Sequence, residues 1–290
     1  MKRLLAHPPA LLGLILLALL GLAALSAGLV EQAFGIDSTS LDLSIMLLPP
    51  SAAHPLGTDE MGRDMLSRIL RGGQISLAVG LVTALVAAVL GTLVGIAAGY
   101  LGGPVDAALM RVTDGVIALP LLPLLIVLGA LDPAKLGLPV EAFRSDTAGL
   151  ARIVVIIALV GWTTVARLVR AATLTVKVQD FVRAAEALGA RPLRIMAVHV
   201  LPNVASPVIV ATTLSIGNII LLESALSFLG LGVQPPLPSW GNMLSAALQQ
   251  MYSNPGLAVW PGAMIFVTVL SFNLLGDGLQ EALDPRSRRL

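Results

Sequence analysis

Several residue types that build catalytic and metal sites are scarce or absent in this chain of 290 residues. It has no cysteine, which excludes disulfide bonds and thiolate metal ligands. Its three histidines, His7, His54 and His199, lie far apart and form no HxxxH or HExxH zinc motif. No G-x4-G-K-[ST] phosphate-binding loop occurs. The sequence therefore predicts no catalytic residue and no metal site, and it supplies no ATPase of its own.

Charge is equally scarce. Only 12% of the residues are charged, whereas typical soluble proteins carry about 25%. Hydrophobic residues make up 56% of the chain, which places it in the membrane class. The formal net charge of +1 gives no electrostatic signature of nucleic-acid binding. We therefore expect the lipid bilayer, and not nucleic acid, to surround this chain.

Six apolar stretches are long enough to cross a membrane, which takes roughly 20 mostly apolar residues. They lie near residues 10–30, 76–100, 112–131, 151–168, 204–222 and 259–275. The first could instead be a signal peptide cleaved near Ala24-Leu25-Ser26, but its apolar run is longer than such peptides use, so we favour a retained helix. No alternating β-barrel pattern occurs. The prediction is an all-α integral membrane fold with about six transmembrane helices.

Glycine and proline spacing predicts how two of these helices pack. Gly91, Gly95 and Gly99 form two overlapping GxxxG steps, which leave one helix face smooth enough for close approach of another backbone. Pro120 and Pro123 stand inside the third stretch and should kink it.

A few polar and aromatic residues stand at the ends of the apolar stretches. Glu223 ends the fifth stretch, where a carboxylate is either an interfacial helix end or a group facing a translocation path. Asp114 and Arg111 read as a structural pair at a helix start. Trp240 and Trp260 are expected to anchor the chain at the membrane interface. The loop around 231–258 carries no charge, so we expect it to pack against protein or dip toward the membrane.

Lysine and arginine positions predict the orientation, because cytoplasmic loops are enriched in both. Most of the 18 Lys and Arg residues fall on the side that holds both termini and the 169–203 loop. Both termini are thus predicted to be cytoplasmic. The predicted segments are a tail with the first helix (1–31), an outward-facing segment with an amphipathic helix near 59–71 (32–74), a membrane core (75–278) and a C-terminal tail (279–290).

The basic loop contains a short amphipathic pattern. Phe181, Ala184, Ala185 and Leu188 fall at i, i+3, i+4 and i+7, which is one apolar face of a helix. On another side of the same helix, Arg183 and Glu186 can pair at i, i+3.

The residues after this pattern predict where the helix ends and the next begins. Gly189 suits the left-handed position that ends a helix, and Pro192 suits the first turn of the next. Such an elbow could lie on lipid or in a groove of a partner protein. Small alanine side chains favour close docking on protein.

This elbow resembles the "EAA" loop of bacterial ABC importer permeases, EAA-x3-G-x9-I-x-L-P. Ala184-Ala185, Gly189 and Leu201-Pro202 match it in identity and spacing, while Arg183 and His199 depart from it. A histidine at that place is typical of the dipeptide/oligopeptide/nickel branch. Stretches around 54–68, 222–232, 238–243, 276–279 and 283–286 also resemble the C-type permease of that branch.

The resemblance implies a type I ABC importer permease of the MetI-like fold in a bacterial inner membrane. It implies a homologous second permease subunit, two cytoplasmic ABC ATPases that use ATP and Mg²⁺, and an extracytoplasmic solute-binding protein, with no cofactor held by this chain. The cargo stays open among dipeptides, longer peptides and nickel chelates. The coupling loop would span 173–203, with ATPase contacts at Phe181, Arg183, Ala184, Ala185, Glu186, Leu188, Gly189, Arg191 and Pro202.

The main alternative is a secondary transporter or channel that works alone. Such proteins are expected to carry paired charges within the membrane or broken-helix symmetry. Charge near the middle of the predicted spans is almost absent here, and a docking elbow would serve no purpose. The sequence therefore favours the importer subunit.

Overall fold

The computed structural model describes residues 7–131 and 146–283. Within these ranges the regular structure is helical, with one isolated β-bridge between Thr58 and Asp64. Five of the described helices are long and apolar enough to cross a membrane, and a bent pair brings the number to six. This confirms the predicted all-α membrane fold.

Eleven α-helices lie within the described residues. In chain order they are α1 (Pro8–Leu25), α2 (Ala27–Phe34), α3 (Met65–Leu101), α4 (Gly103–Ala118), α5 (Leu121–Ala130), α6 (Asp146–Lys177), α7 (Asp180–Ala187), α8 (Pro192–Ile195), α9 (Leu201–Phe228), α10 (Trp240–Ala247) and α11 (Gly256–Leu283). A wide turn of π geometry, Met196–Val200, makes α8 and α9 continuous.

Helix α3 is longer than the sequence predicts. Its 37 residues begin at Met65, because the carboxylate of Asp64 caps the helix by accepting a hydrogen bond from the Ser67 amide (2.8 Å). The separate amphipathic helix expected near 59–71 is therefore wrong: residues 59–64 form a turn, and the helix that follows runs on into the membrane span. The predicted segment boundaries after 31, 74 and 278 fall inside α2, α3 and α11.

Buried ion pairs explain why polar residues are tolerated at the start of α3. Arg63 and Arg68 both contact the carboxylate of Asp59, at 2.7 and 3.4 Å, and all three side chains are almost fully buried. Arg71 pairs with Glu31 of α2. Because each charge has a partner, this part of the chain can be helical and buried without being apolar.

The third span is broken, as its prolines predict. Helices α4 and α5 meet at an angle of 87° around Pro120. Leu119 adopts an extended conformation (ψ 138°), which is the backbone that a following proline favours. Pro123 lies in the first turn of α5 and does not interrupt it, because the amide it lacks would have no helical partner there.

Ion pairs join α4 to α6. Asp106 accepts two hydrogen bonds from Arg170 (2.5 and 2.6 Å), and Asp114 accepts one from Arg167 (2.6 Å). The predicted pair of Asp114 with Arg111 at a helix start is wrong. Asp114 lies near the end of α4, where α6 runs alongside and brings Arg167 within reach.

The glycine face of α3 lies directly against α6. A Cβ atom added to Gly91 or to Gly95 would lie 2.6 Å from the carbonyl oxygen of Trp162 or of Ala166, respectively. At Gly99 it would lie 2.7 Å from Cβ of Thr173. All three distances are well below van der Waals contact, so only glycine permits this approach of the two backbones.

Helix α10 covers the end of the bundle where α3 begins. Trp240 is only 2% exposed, and its indole nitrogen donates to the carbonyl of Ile69 (3.0 Å). The expectation that Trp240 anchors the chain in the lipid interface is therefore wrong: Gly72 and Gly73 of α3 leave room for its ring. Met243 and Ala247 are buried beside it, so this part of the uncharged loop packs against protein.

Candidate functional site

The elbow predicted from the EAA-like pattern is present as a helix, a glycine turn and a second helix. Helix α7 ends in a Schellman motif, in which Gly189 (φ +77°) donates to the Glu186 carbonyl and Ala190 donates to the Ala185 carbonyl (2.9 and 3.0 Å). Pro192 then stands at the first position of α8. We call residues 178–200 the elbow, and the end of the bundle that carries it the elbow end.

The elbow presents apolar side chains to its surroundings. Leu188 is 88% exposed and Phe181 43% exposed, and Ala184 is also exposed. Ala185, predicted to share this face, is half-buried and packs against the protein. Leu193 of α8, which the sequence reasoning missed, is 77% exposed. A leucine directly after the helix-starting Pro192 is the signal that could have indicated it.

The opposite face of α7 holds the elbow to the bundle. Val182 is fully buried among Val169 of α6, Ile195 of α8 and Val204 of α9. The sequence pattern did not predict this anchor, because Val182 lies one position after Phe181 and outside the apolar i, i+3, i+4, i+7 series. The buried anchor fixes which side of α7 is available to a partner.

Polar residues border the exposed apolar patch. Arg183 and Arg191 are exposed, and Pro202 is exposed in the first turn of α9. Glu186 accepts a hydrogen bond from the hydroxyl of Tyr100 in α3 (2.9 Å). Among the described residues no ion pair joins Arg183 to Glu186, because Glu186 turns toward the bundle. The predicted ATPase contacts of this set stay predictions.

Glu223 lies in a polar cluster inside the protein. Its side chain is fully buried in α9, and the hydroxyls of Ser76, Ser224, Ser227 and Ser239 hydrogen-bond to its carboxylate. The Ser227 hydroxyl donates at 2.7 Å, and the Ser224 hydroxyl lies at 3.5 Å. We call these five residues the Glu223 cluster.

Three of the serines also accept backbone hydrogen bonds. Ser227 accepts from the Val233 amide (3.0 Å), Ser76 from the Trp240 amide (3.3 Å) and Ser239 from the Asn242 amide (3.2 Å). The carboxylate therefore organises hydroxyls that hold α3, α9 and α10 together. A structural role for Glu223 follows from this geometry, and its role in a translocation path stays a prediction.

A cavity of about 470 Å³ opens beside the bend between α4 and α5, with α6 and α9 forming its other walls. No charged residue is among those that line it. Its polar groups are hydroxyls and one amide, those of Thr163, Thr164, Ser215 and Asn218. Glu223 is not part of the lining. The cavity can thus hold an uncharged group, or a group whose positive and negative charges cancel.

The described residues offer no obvious metal site. Within residues 7–131 and 146–283, no group of three or more His, Asp or Glu side chains is placed to share a metal ion.

Comparison with known proteins shows which protein family this chain matches. Residues 91–289 match the family described as binding-protein-dependent transport system inner membrane component. The glutathione transport system permease protein of Pectobacterium atrosepticum is 41% identical over 237 residues, which cover 82% of this chain and 74% of the relative. The corresponding protein of Escherichia coli O6:K15:H31 is 43% identical over the same coverage.

A dipeptide transport system permease protein of Haemophilus influenzae is 37% identical over 287 residues, or 97% of this chain and 91% of the relative. The similarity thus extends over nearly the whole bundle, and the family match includes the elbow and the Glu223 cluster apart from Ser76. With its multi-pass helical fold and its exposed helix–glycine–helix elbow, this chain belongs to the family of inner membrane components of binding-protein-dependent transport systems, as a permease subunit of an ABC importer.

Proposed function

We propose that this chain forms half of the translocation path of an ATP-driven importer of short peptides, and that its elbow docks into a separate ATPase. The observation that carries the proposal is the pairing of an exposed apolar patch, Leu188 and Leu193, with a buried anchor, Val182. A largely exposed leucine on a helix that is anchored to the bundle suits a protein groove. Burying such a side chain contributes on the order of 1.5–3 kcal/mol before the costs of association.

The family and the resemblance support a set of partners for this chain. Two ATPases would bind and hydrolyse ATP with Mg²⁺, and this chain would hold neither. A homologous second permease would complete the path, and a solute-binding protein would deliver the cargo at the end covered by α10. In this arrangement the elbow end and both termini lie in the cytoplasm.

The continuity of the helices supports a mechanical role for the elbow. Helix α6 ends at Lys177, directly before the elbow, and α8 leads through the π turn into α9 without a break. Closure of the two ATPases would draw the docked elbows together. Helices attached to the elbow on both sides would then carry the movement into the membrane and switch access from one side to the other.

The relatives favour peptides over nickel chelates as the cargo. The two glutathione permeases and the dipeptide permease are named for molecules that contain amide-linked amino acids. The uncharged cavity beside Pro120 fits that cargo, because Asn218 and the nearby hydroxyls can exchange hydrogen bonds with peptide groups without trapping a charge. We propose that this cavity forms part of the path.

Reconstitution tests the proposal. The full chain with its partner subunits is placed in proteoliposomes, and uptake of radiolabelled dialanine and glutathione is measured with ATP and with an ion gradient alone. ATP-dependent peptide uptake is expected. Uptake driven by the gradient without ATP would instead support a secondary transporter, and ATP-dependent uptake of nickel chelates alone would contradict the peptide assignment.

A substitution at the elbow tests the docking surface. Leu188→Asp places a charge on the exposed patch, so the chain should enter the membrane normally but lose the ATPase on purification. Leu41→Asp is the matched control, because Leu41 is also exposed (65%) but lies in the segment before α3, at the other end of the bundle. Equal ATPase recovery with both variants would contradict the proposal.

A further inference from the structure

The elbow touches a span that is not its neighbour in the chain. Helix α7 is flanked in sequence by α6 and α8, yet Glu186 accepts a hydrogen bond from Tyr100 at the end of α3, 86 residues earlier (2.9 Å). Val182 and Glu186 are separated by four positions, so they lie on the same face of α7. That face therefore carries one apolar anchor and one polar link to the bundle.

Tyr100 is held firmly enough to act as the fixed end of such a link. Its side chain is 7% exposed and packs in the same cluster as Val165, Val169 and Val182. The ammonium of Lys177 donates to its backbone carbonyl and lies 5.5 Å from the centre of its ring. The phenol therefore has little freedom to follow Glu186 if the elbow alone moves.

The position of Tyr100 in α3 gives the link its importance. Helix α3 ends one residue later, at Leu101, and its glycine face lies against α6 along Gly91, Gly95 and Gly99. Lys177, directly before the elbow, already ties the end of α6 to the Tyr100 carbonyl. The hydrogen bond from Tyr100 to Glu186 adds a direct tie between α3 and α7 itself.

We propose that Tyr100 is a positioning residue, whose hydroxyl ties the elbow to α3 so that an ATPase-driven displacement of α7 moves α3 together with α6 and α9. This inference rests on the proposed function of the elbow and adds to it a third driven helix. A hydrogen bond from a phenol to a carboxylate is charge-assisted, so it is stronger than one between two neutral groups, and it is also directional.

The first test needs no partner and no cargo. Hydrogen–deuterium exchange is measured in residues 180–187 of the full chain in lipid nanodiscs. Tyr100→Phe removes the hydroxyl and keeps the ring, so these amides should exchange about tenfold faster. Tyr252→Phe is the matched control, because Tyr252 is 93% exposed and stands far from the elbow in the fold. Unchanged exchange in Tyr100→Phe would overturn the proposal.

A second pair of variants separates the hydrogen bond from mere packing. Glu186→Gln keeps an oxygen that accepts from Tyr100 but lacks the charge, so its exchange should fall between those of the unmodified chain and Glu186→Ala, whereas Glu186→Ala should match Tyr100→Phe. The double variant Tyr100→Phe/Glu186→Ala should be no worse than either single change, because both remove one interaction. Additive effects of the two changes would refute a shared link.

The transport readout is the number of dialanine molecules imported per ATP hydrolysed by the reconstituted assembly. Tyr100→Phe should lower this ratio severalfold while ATPase recovery and melting temperature stay unchanged. A merely structural residue would lower the amount of active assembly and leave the ratio intact, which would contradict the proposal. If the unmodified assembly imports nothing with ATP, the proposed function fails, and the exchange measurement still decides whether Tyr100 holds the elbow.

Discussion

At the scale of single residues, Glu223 is the side chain whose burial most needs hydrogen-bond partners. A carboxylate taken fully out of water costs several kcal/mol unless it is hydrogen-bonded. Here four serine hydroxyls supply those bonds, and three of them also satisfy backbone amides of the segment that covers the bundle. The buried carboxyl group and the segment that covers the bundle therefore stabilise each other.

Replacing Glu223 should therefore destabilise the fold. Glu223→Ala leaves buried hydroxyls without an acceptor, which costs about 1–3 kcal/mol for each such group. We expect a lower melting temperature in nanodiscs and faster proteolysis of the loop around 231–239. Ser224→Ala is the control, because its hydroxyl lies farther from the carboxylate (3.5 Å). A Glu223→Ala chain with normal stability and altered uptake would instead favour the translocation-path role.

A second residue-scale prediction concerns pH. The hydrogen bond from Arg71 holds the pKa of Glu31 below its ordinary value of 4.5. A lowered native pKa means that the stabilisation is present above about 4.5 and is lost as the pH falls through the native pKa. Glu31→Gln should therefore lower the melting temperature at neutral pH and have no effect in acid. A constant difference across the whole range would refute this.

At the scale of elements, the contact between α3 and α6 depends on three glycines. Gly95→Ala would push a methyl group against the Ala166 carbonyl, so the helices must separate, at a cost of about 1–3 kcal/mol. Gly21→Ala in α1 is the matched control, because nothing lies within 4 Å of its added methyl. In that open helical position alanine should stabilise by about 0.5–1 kcal/mol. Equal melting temperatures for both variants would contradict the predicted clash.

The sequence predicted the elements better than their ends or their partners. Apolar length locates the spans, because a helix needs roughly 20 mostly apolar residues to cross the hydrocarbon. Apolar length places the start of α3 too late, because Arg68 and Arg71 indicate a loop when only the sequence is considered. In the structure these arginines pair with Asp59 and Glu31.

Contacts between residues that are far apart in the chain could not be predicted from the sequence, for the same reason. The EAA-like spacing is local, so it predicted the helix, the glycine turn and the exposed Leu188. The hydrogen bond of Glu186 to Tyr100 and the burial of Trp240 against α3 join residues far apart in the chain. No pattern within one element contains that information.

At the scale of the whole molecule, the absence of cysteine makes the orientation directly measurable. A single cysteine introduced at Leu188 or at Leu41 would be the only thiol in the chain. In intact cells, a membrane-impermeant maleimide should label Leu41→Cys and not Leu188→Cys, and in inverted vesicles the result should be reversed. Labelling of Leu188→Cys from outside would overturn the proposed topology and the docking of an ATPase at the elbow.

The unbroken length of α3 has a consequence that reaches across the membrane. At 1.5 Å per residue its 37 residues extend about 55 Å, well beyond the roughly 30 Å of hydrocarbon. Near one end, the indole of Trp240 donates to the Ile69 carbonyl, and at the other end the hydroxyl of Tyr100 donates to Glu186 of the elbow. In the proposed arrangement, binding of the solute-binding protein at one surface and of the ATPase at the other would act on the two ends of the same helix, so the two events would be coupled without passing through the cavity.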